Sequence, residues 1–448
     1  MANNYFDIRG VVEGFYGFFY TPQERMNLIQ FLGKNGYNAY FYAPKNDRYH
    51  RIRWREPYPI KDMEIFEKTI QVAKENHIKF CYCINPGTSI CYSSERDFDF
   101  IAEKFLAFYK LGVRDFSLLL DDISPEFSFE EDRIGYSSYA DAHADLCNRI
   151  FAWLEKLDNE IRLSMCPTDY AGSAPFSPYI FELGQKLHPD IMIMYTGTQV
   201  CSKEISAEDA IKFGEAIGRK PLIWDNYPVN DGGMAVEIHI GPIRGRSEDL
   251  YRHVSGILVN PMNQAESSKV ALATYGNYFS NPMEYDPDVA WQSALMEVAG
   301  ADFAEDFQLI AENALRSCLG TPEAKKLEQL TKNAILSIQN SSSALPDPDV
   351  IALEQYLDRI ADASYRIVND CTNTALRNEL LPWLEKLENW VILGKHTILA
   401  MRLAENGSDH QKIQREIRQT LKGIQKNPKR IMGDVLLPFA NLVLEKTD

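Results

Sequence analysis

Apolar residues in the first 280 positions come in short, nearly unbroken runs, at 8–15, 39–43, 79–85, 116–121, 163–168, 191–195, 222–225 and 256–260. Short apolar runs without alternation are the pattern of strands buried on both faces, as in parallel sheets. Between them lie amphipathic stretches at 22–34, 63–76, 95–111, 139–157, 178–187, 207–217 and 247–254. There the apolar positions recur at helical spacing. Strand and helix alternate along the whole segment, which predicts an α/β fold, a (β/α)8 barrel of the TIM type. An open doubly wound sheet is the competing architecture. It usually has fewer strands, and no Gly-x-Gly-x-x-Gly follows the first run here.

After about residue 287 the strand-like runs stop. Helical patterns at 289–316, 323–341, 348–370, 374–403 and 409–425 predict an all-α bundle, interrupted by the sequence LPDPD at 345–349. The expected domains are a barrel over 1–284 and a helical domain over 285–448. Trp383 and Trp390 stand seven apart on one predicted helix and so share a face. Core packing is the expected reason.

The chain has 448 residues, enough for two or three domains. Its 47 Lys and Arg against 63 Asp and Glu leave a net charge of −16. That balance repels a phosphate backbone, and no nucleic-acid partner is expected. The 8 cysteines form no Cys-x-x-Cys pair, so they read as reduced, mostly buried thiols rather than a zinc ribbon. His239 and His253 lack metal-ligand spacing, and no metal or other cofactor is expected. No basic leader and no 18-residue apolar stretch is visible, which predicts a cytoplasmic protein without a membrane partner.

Barrel enzymes work at the C-terminal ends of their strands. Those ends carry Glu13-Gly14, Lys45-Asn46-Asp47, Asp121-Asp122, Asp169-Tyr170, Tyr195-Thr196, Trp224-Asp225-Asn226 with Asp231 beyond, and Asn260. Aromatics offer flat apolar faces and carboxylates and amides bond hydroxyls, so the mixture suits a sugar. The Asp121-Asp122 pair is the sharpest feature, because LLL at 118–120 delivers two carboxylates to the rim. Neighbouring carboxylates push their pKa values apart, which lets one stay protonated as a general acid. Adjacent Cα atoms lie only about 3.8 Å apart. Such a pair does not easily straddle an anomeric carbon, as an acid and a nucleophile about 5–5.5 Å apart would. It suits one side of the sugar, with an acid for the leaving oxygen and a carboxylate that orients an internal nucleophile. A 2-acetamido group attacking intramolecularly is such a nucleophile.

The motifs GVVEGFYG at 10–17, YAPKND at 42–47, WRE at 54–56, LLDDI at 119–123, CPTDY at 166–170, WDN at 224–226 and NP at 260–261 resemble glycoside hydrolase family 84. That family holds O-GlcNAc hydrolases and bacterial β-N-acetylglucosaminidases. The resemblance covers about residues 6–280 and implies a retaining exo-β-N-acetylglucosaminidase working through an oxazoline, with GlcNAc on Ser or Thr as the substrate class. It implies that Asp121 orients the acetamido N–H and that Asp122 is the acid and then the base. It further implies that Tyr170 bonds the acetamido region or the anomeric oxygen and that Asn226 lies near the acetamido group, with Trp224 as the wall of its pocket. Gly14, Lys45, Asp231 and Asn260 would bond the sugar hydroxyls. Asp225 is adjacent, without an assigned contact, and Tyr16 and Tyr20 read as wall or packing residues. Tyr195 stands where the family more often has Trp. The implied partner is a GlcNAc-bearing glycoprotein or glycoside. An endo-acting, hyaluronidase-like hydrolase and a sugar-binding barrel without catalysis are the competing readings. The helical half is open to three roles: a homodimer interface, a peptide groove or a buttress.

Overall fold

The computed structural model describes residues 5–340 and 347–447. Eight strands form a closed parallel barrel in sequence order: β1 Ile8–Glu13, β2 Ala39–Tyr42, β3 Lys79–Ile84, β4 Asp115–Leu119, β5 Arg162–Cys166, β6 Met192–Tyr195, β7 Leu222–Asp225 and β8 Gly256–Val259. β8 returns to pair with β1, Gly256 opposite Ile8. The interior is filled by inward-facing residues such as Val12, Phe41, Cys83, Leu119, Met194 and Leu258. Outside lie the helices α1 Pro22–Lys34, α2 Ile60–Glu75, α3 Glu95–Lys110, α4 Glu130–Gly135, α5 Tyr139–Leu157, α6 Pro178–Lys186, α7 Ala207–Ile217 and α8 Ala265–Ser280. Their starts follow from local chemistry. α1 begins with a Thr21/Glu24 capping box and Pro22 in its first turn. Ser94, Ser138 and Ser206 cap α3, α5 and α7.

One expected barrel helix is absent. Residues 247–254 form only a single 3-10 turn, Leu250–Arg252. Just before it, Arg246 clamps the buried Asp225 carboxylate (Nε–Oδ2 2.8 Å) and also donates to the carbonyls of Lys203 and Arg244. The β7–β8 connection is therefore held by a fixed cation rather than by a helical face.

The chain divides into two compact units, 1–232 with 242–290, and 233–241 with 291–448. The second is all-helical: α9 Pro287–Ala299, which contains the boundary, α10 Ala304–Glu312, α11 Lys325–Asn340, α12 Pro348–Asn369, α13 Thr374–Glu405, α14 Gln411–Lys426 and α15 Leu437–Thr447. The helix expected over 289–316 is two helices. They break at Gly300, whose φ of +88° favours glycine. The helix α15 lies outside the expected set. Of the LPDPD turn, Leu345 and Pro346 fall outside the described residues, and Asp347 caps α12. Trp383 and Trp390 are both buried. The Trp383 indole N–H donates to Val236 O (2.9 Å), and that of Trp291 to Ile240 O (2.7 Å), so two tryptophans fasten the 233–241 segment within this unit.

All eight cysteines are free thiols, five of them buried. Among the described residues no helix is long and apolar enough to cross a membrane. No group of three or more His, Cys, Asp or Glu side chains there could hold a metal ion.

Candidate active site

A recess of about 540 Å³, partly open to solvent, lies at the C-terminal rim of the barrel. Gly14, Lys45, Asp121, Asp122, Tyr170, Trp224, Asn226, Asp231 and Asn260 all line it. Tyr16, Cys166, Thr196, Val200, Cys201 and Val229 complete the wall.

The two aspartates reach the same recess because the backbone turns between them. β4 ends at Leu119, and Asp122 has φ +54°, in the left-handed region. A non-glycine residue holds that conformation at a cost of about 1–3 kcal/mol. It also breaks the strand alternation that would send neighbouring side chains to opposite faces. The flanking chain is pinned to β5. Leu120 N–H donates to Cys166 O (2.9 Å), and the Thr168 hydroxyl donates to Leu120 O (2.8 Å).

Their partners differ. Asp121 is buried, ion-paired to the Lys45 ammonium, and accepts from Asn85 Nδ2 at 3.0 Å. Burial works against the Lys45 charge, but the Asp121 carboxylate outweighs it and raises the ammonium above its usual value. Asp122 accepts from two phenols, Tyr170 OH on Oδ1 (2.7 Å) and Tyr16 OH on Oδ2 (2.8 Å). Burial raises the Asp122 carboxyl, but the Tyr170 hydroxyl, the Lys45 charge, the Tyr16 hydroxyl and Arg51 together bring it below its ordinary value. The sequence leads one to expect a carboxyl of the pair that stays protonated; in the free site the two phenols and the Lys45 charge favour the Asp122 anion. Asp231 goes the other way. Burial raises it, the backbone N–H of Tyr16 (2.7 Å) opposes that, and the Asp122 charge adds to the rise.

The opposite wall is an amide cluster. Asn226 Oδ1 accepts from Trp224 Nε1 (2.9 Å) and Asn260 Nδ2 (2.8 Å), while its own Nδ2 donates to Val200 O (2.8 Å). Gly14 N–H donates to Asn260 Oδ1 at 3.3 Å. These bonds fix the Trp224 ring, with Lys45 Nζ 5.8 Å from its centroid.

Some rim residues stay out of the recess. Asp225 is the Arg246 partner. Glu13 is buried behind Gly14 against Arg25, with Tyr40 OH and Tyr20 N–H also donating to it. Tyr195 is buried, stacked on Phe213 (centroids 4.1 Å apart) and hydrogen-bonded to Gly172 O. His239 pairs with Glu237. Two residues gain weight. Tyr16, expected as wall or packing, touches Asp122 directly. Asn85 is absent from the sequence reading, although it closes the third apolar run. Reading the strand-end rule at β3 would have found it.

The family described as beta-N-acetylglucosaminidase matches residues 9–312. The rat protein O-GlcNAcase (Rattus norvegicus) is 36% identical over 279 residues, 61% of this chain and 30% of that protein. The mouse protein O-GlcNAcase (Mus musculus) is 35% identical over the same length and shares. The match thus spans about 30% of the length of these curated relatives. A solved mutant of Thermobaculum terrenum O-GlcNAc hydrolase superposes with a TM-score of 0.93 at 32% identity, covering 99% of this chain and 95% of that one. A family match over more than half the chain, and a fold shared from end to end, lead to one conclusion: the chain belongs to the beta-N-acetylglucosaminidases of glycoside hydrolase family 84.

Proposed function

We propose that this protein is a retaining exo-β-N-acetylglucosaminidase that uses the substrate's own acetamido group as nucleophile and removes GlcNAc from Ser or Thr. The observation that carries the reading is the division of labour between adjacent carboxylates. Asp121 is paired with Lys45 and bonded by Asn85, suited to accept the acetamido N–H. Asp122 is held by two phenols at the mouth, suited to meet the glycosidic oxygen.

The acetamido carbonyl oxygen attacks the anomeric carbon and forms an oxazoline, while the glycosidic oxygen leaves with the Asp122 proton. Water then opens the oxazoline, and Asp122 accepts its proton. Asp122 is anionic in the free site, so it takes up its proton as the glycoside enters. A bound sugar excludes water, which strengthens burial, the influence that already raises this carboxyl. Trp224, Asn226 and Tyr170 wall the acetamido side, and Gly14, Lys45, Asp231 and Asn260 meet the hydroxyls.

The test compares a fluorogenic β-N-acetylglucosaminide, its N-trifluoroacetyl analogue and the plain β-glucoside. Fast turnover of the first, slow turnover of the second and none of the third is the expected result. Equal rates on the first two would remove the acetamido group as nucleophile. Sizing the products of a GlcNAc polymer separates exo from endo cleavage. Binding of the N-acetylglucosaminide without turnover would point to the non-catalytic barrel.

A further inference from the structure

The β1–α1 loop presents three exposed aromatic residues beside the recess. Tyr16 is 37% exposed, Phe19 39% and Phe18 94%. A single exposed apolar side chain needs no explanation, but three within four positions on an active-site loop do. The loop is anchored. Tyr16 N–H is bonded to Asp231, and one Asn263 amide donates to the carbonyls of Tyr16 and Phe18, both at 3.0 Å. Tyr20 OH closes the far end on Met262 O at 2.6 Å. The Phe18 peptide is therefore fixed while its ring stands in solvent. Ordering that ring against a ligand costs little, because the backbone is already held.

The position of this loop relative to the chemistry follows from Tyr16. Its hydroxyl lies 2.8 Å from Asp122 Oδ2, the carboxylate assigned to the leaving oxygen. Tyr170 OH holds the other oxygen of Asp122, so a leaving group that meets this carboxylate passes the edge of the Tyr16 loop, and Phe18 lies two residues farther along that anchored loop. The β2–α2 connection meets the same phenol: Arg51 Nη1 is 3.2 Å from Tyr16 OH, and its neighbour Ile52 is 74% exposed. An aglycone leaving past Asp122 thus meets an edge built of a phenol and exposed apolar side chains.

We infer that Phe18 is a specificity-determining residue that packs against an apolar side chain flanking the glycosylated Ser or Thr of a peptide substrate. This rests on the reading above, in which the leaving group is a protein hydroxyl. Phe18 takes no part in bond breaking. It adds apolar contact to peptides that carry Leu, Val or an aromatic residue beside the sugar.

The experiment uses two O-GlcNAc peptides that differ only in whether Leu or Gly flanks the glycosylated serine, with the full chain as wild type, Phe18→Ser and Phe18→Leu. The wild type is expected to favour the Leu peptide in kcat/KM by about five- to tenfold, as partial burial of two apolar side chains supplies. Phe18→Ser should bring that ratio to about one, chiefly through KM, and Phe18→Leu should keep most of it. The exposed position makes folding of both variants expected, checked by unchanged melting. A ratio that survives Phe18→Ser, or is absent from the wild type, overturns the inference. Wild-type turnover of an aryl N-acetylglucosaminide without release from either peptide overturns the peptide leaving group and this inference with it. No turnover of the aryl glycoside overturns the hydrolase reading itself.

Discussion

The indole of Trp224 occupies the space that a side chain at Gly14 would need. A Cβ at that position would stand 2.4 Å from Trp224 Cζ2 and 2.7 Å from Cη2. Gly14→Ala therefore forces the ring to tilt and strains its bond to Asn226. The expected cost is about 1–3 kcal/mol of stability from overpacking. A larger effect is expected on turnover, about 100-fold in kcat/KM, because a displacement of about 1 Å in a positioning wall is costly. Steady-state kinetics beside thermal melting checks both. Wild-type kinetics would mean that the ring takes no part in positioning the sugar.

Tyr170→Phe removes the hydrogen bond that most depresses the Asp122 carboxyl. Without that donor the anion is less favoured, so the carboxyl rises. A general acid works only while protonated, so activity on poor leaving groups falls as pH climbs past its pKa. The alkaline limb of kcat, which reports the bound complex, should accordingly move to higher pH in the variant, whatever happens to the maximum rate. A limb that stays in place would show that it does not belong to Asp122.

Arg25→Met should destabilise the barrel by about 3–5 kcal/mol, because it strands a buried carboxylate. Glu13 would keep its bonds from Tyr40 OH and Tyr20 N–H but lose both guanidinium contacts, at 2.7 and 2.9 Å. Replacing both residues, as Glu13→Gln with Arg25→Met, should recover part of the loss. Denaturant titration of the single and double variants measures this.

Two buried histidines make the fold sensitive to acid. Burial lowers His143 to about 3 and His50 to about 4, against 6.5 when free. His143 sits between the hydroxyls of Tyr92 and Tyr179, and His50 Nδ1 bonds Cys83 O. Near pH 5 the unfolded chain binds protons at both sites and the folded chain at neither. Stability is therefore present above pH 6.5 and is lost as pH falls toward 4. The two groups give a slope of about 2.7 kcal/mol per pH unit near pH 5. His143→Gln should halve that contribution, read as the difference between the two proteins' stability against pH. An unchanged slope would mean that His143 titrates normally.

Much of the site was legible before folding. The barrel alternation was visible because buried parallel strands lack polar positions, while the covering helices keep them every turn. Asp121 and Asp122 stood out because an apolar strand runs straight into them. The stretch 247–254 misled because its amphipathic spacing is real, but Arg246 holds the chain in another path. The helical pattern at 289–316 runs through Gly300, whose positive φ ends a helix there.

The sequence by itself determined which side chain stands at the end of each strand. Strand period and direction are local, and every parallel strand of a barrel ends at the same rim. It could not determine who meets whom there. Lys45 and Asp121 are 76 residues apart, and Tyr16 and Asp122 are 106 apart. Only closure of the barrel brings them within a hydrogen bond. Those contacts, rather than the adjacency of two aspartates, give each carboxylate its own surroundings, because the donors around a carboxylate depend on the fold and not on its place in the chain.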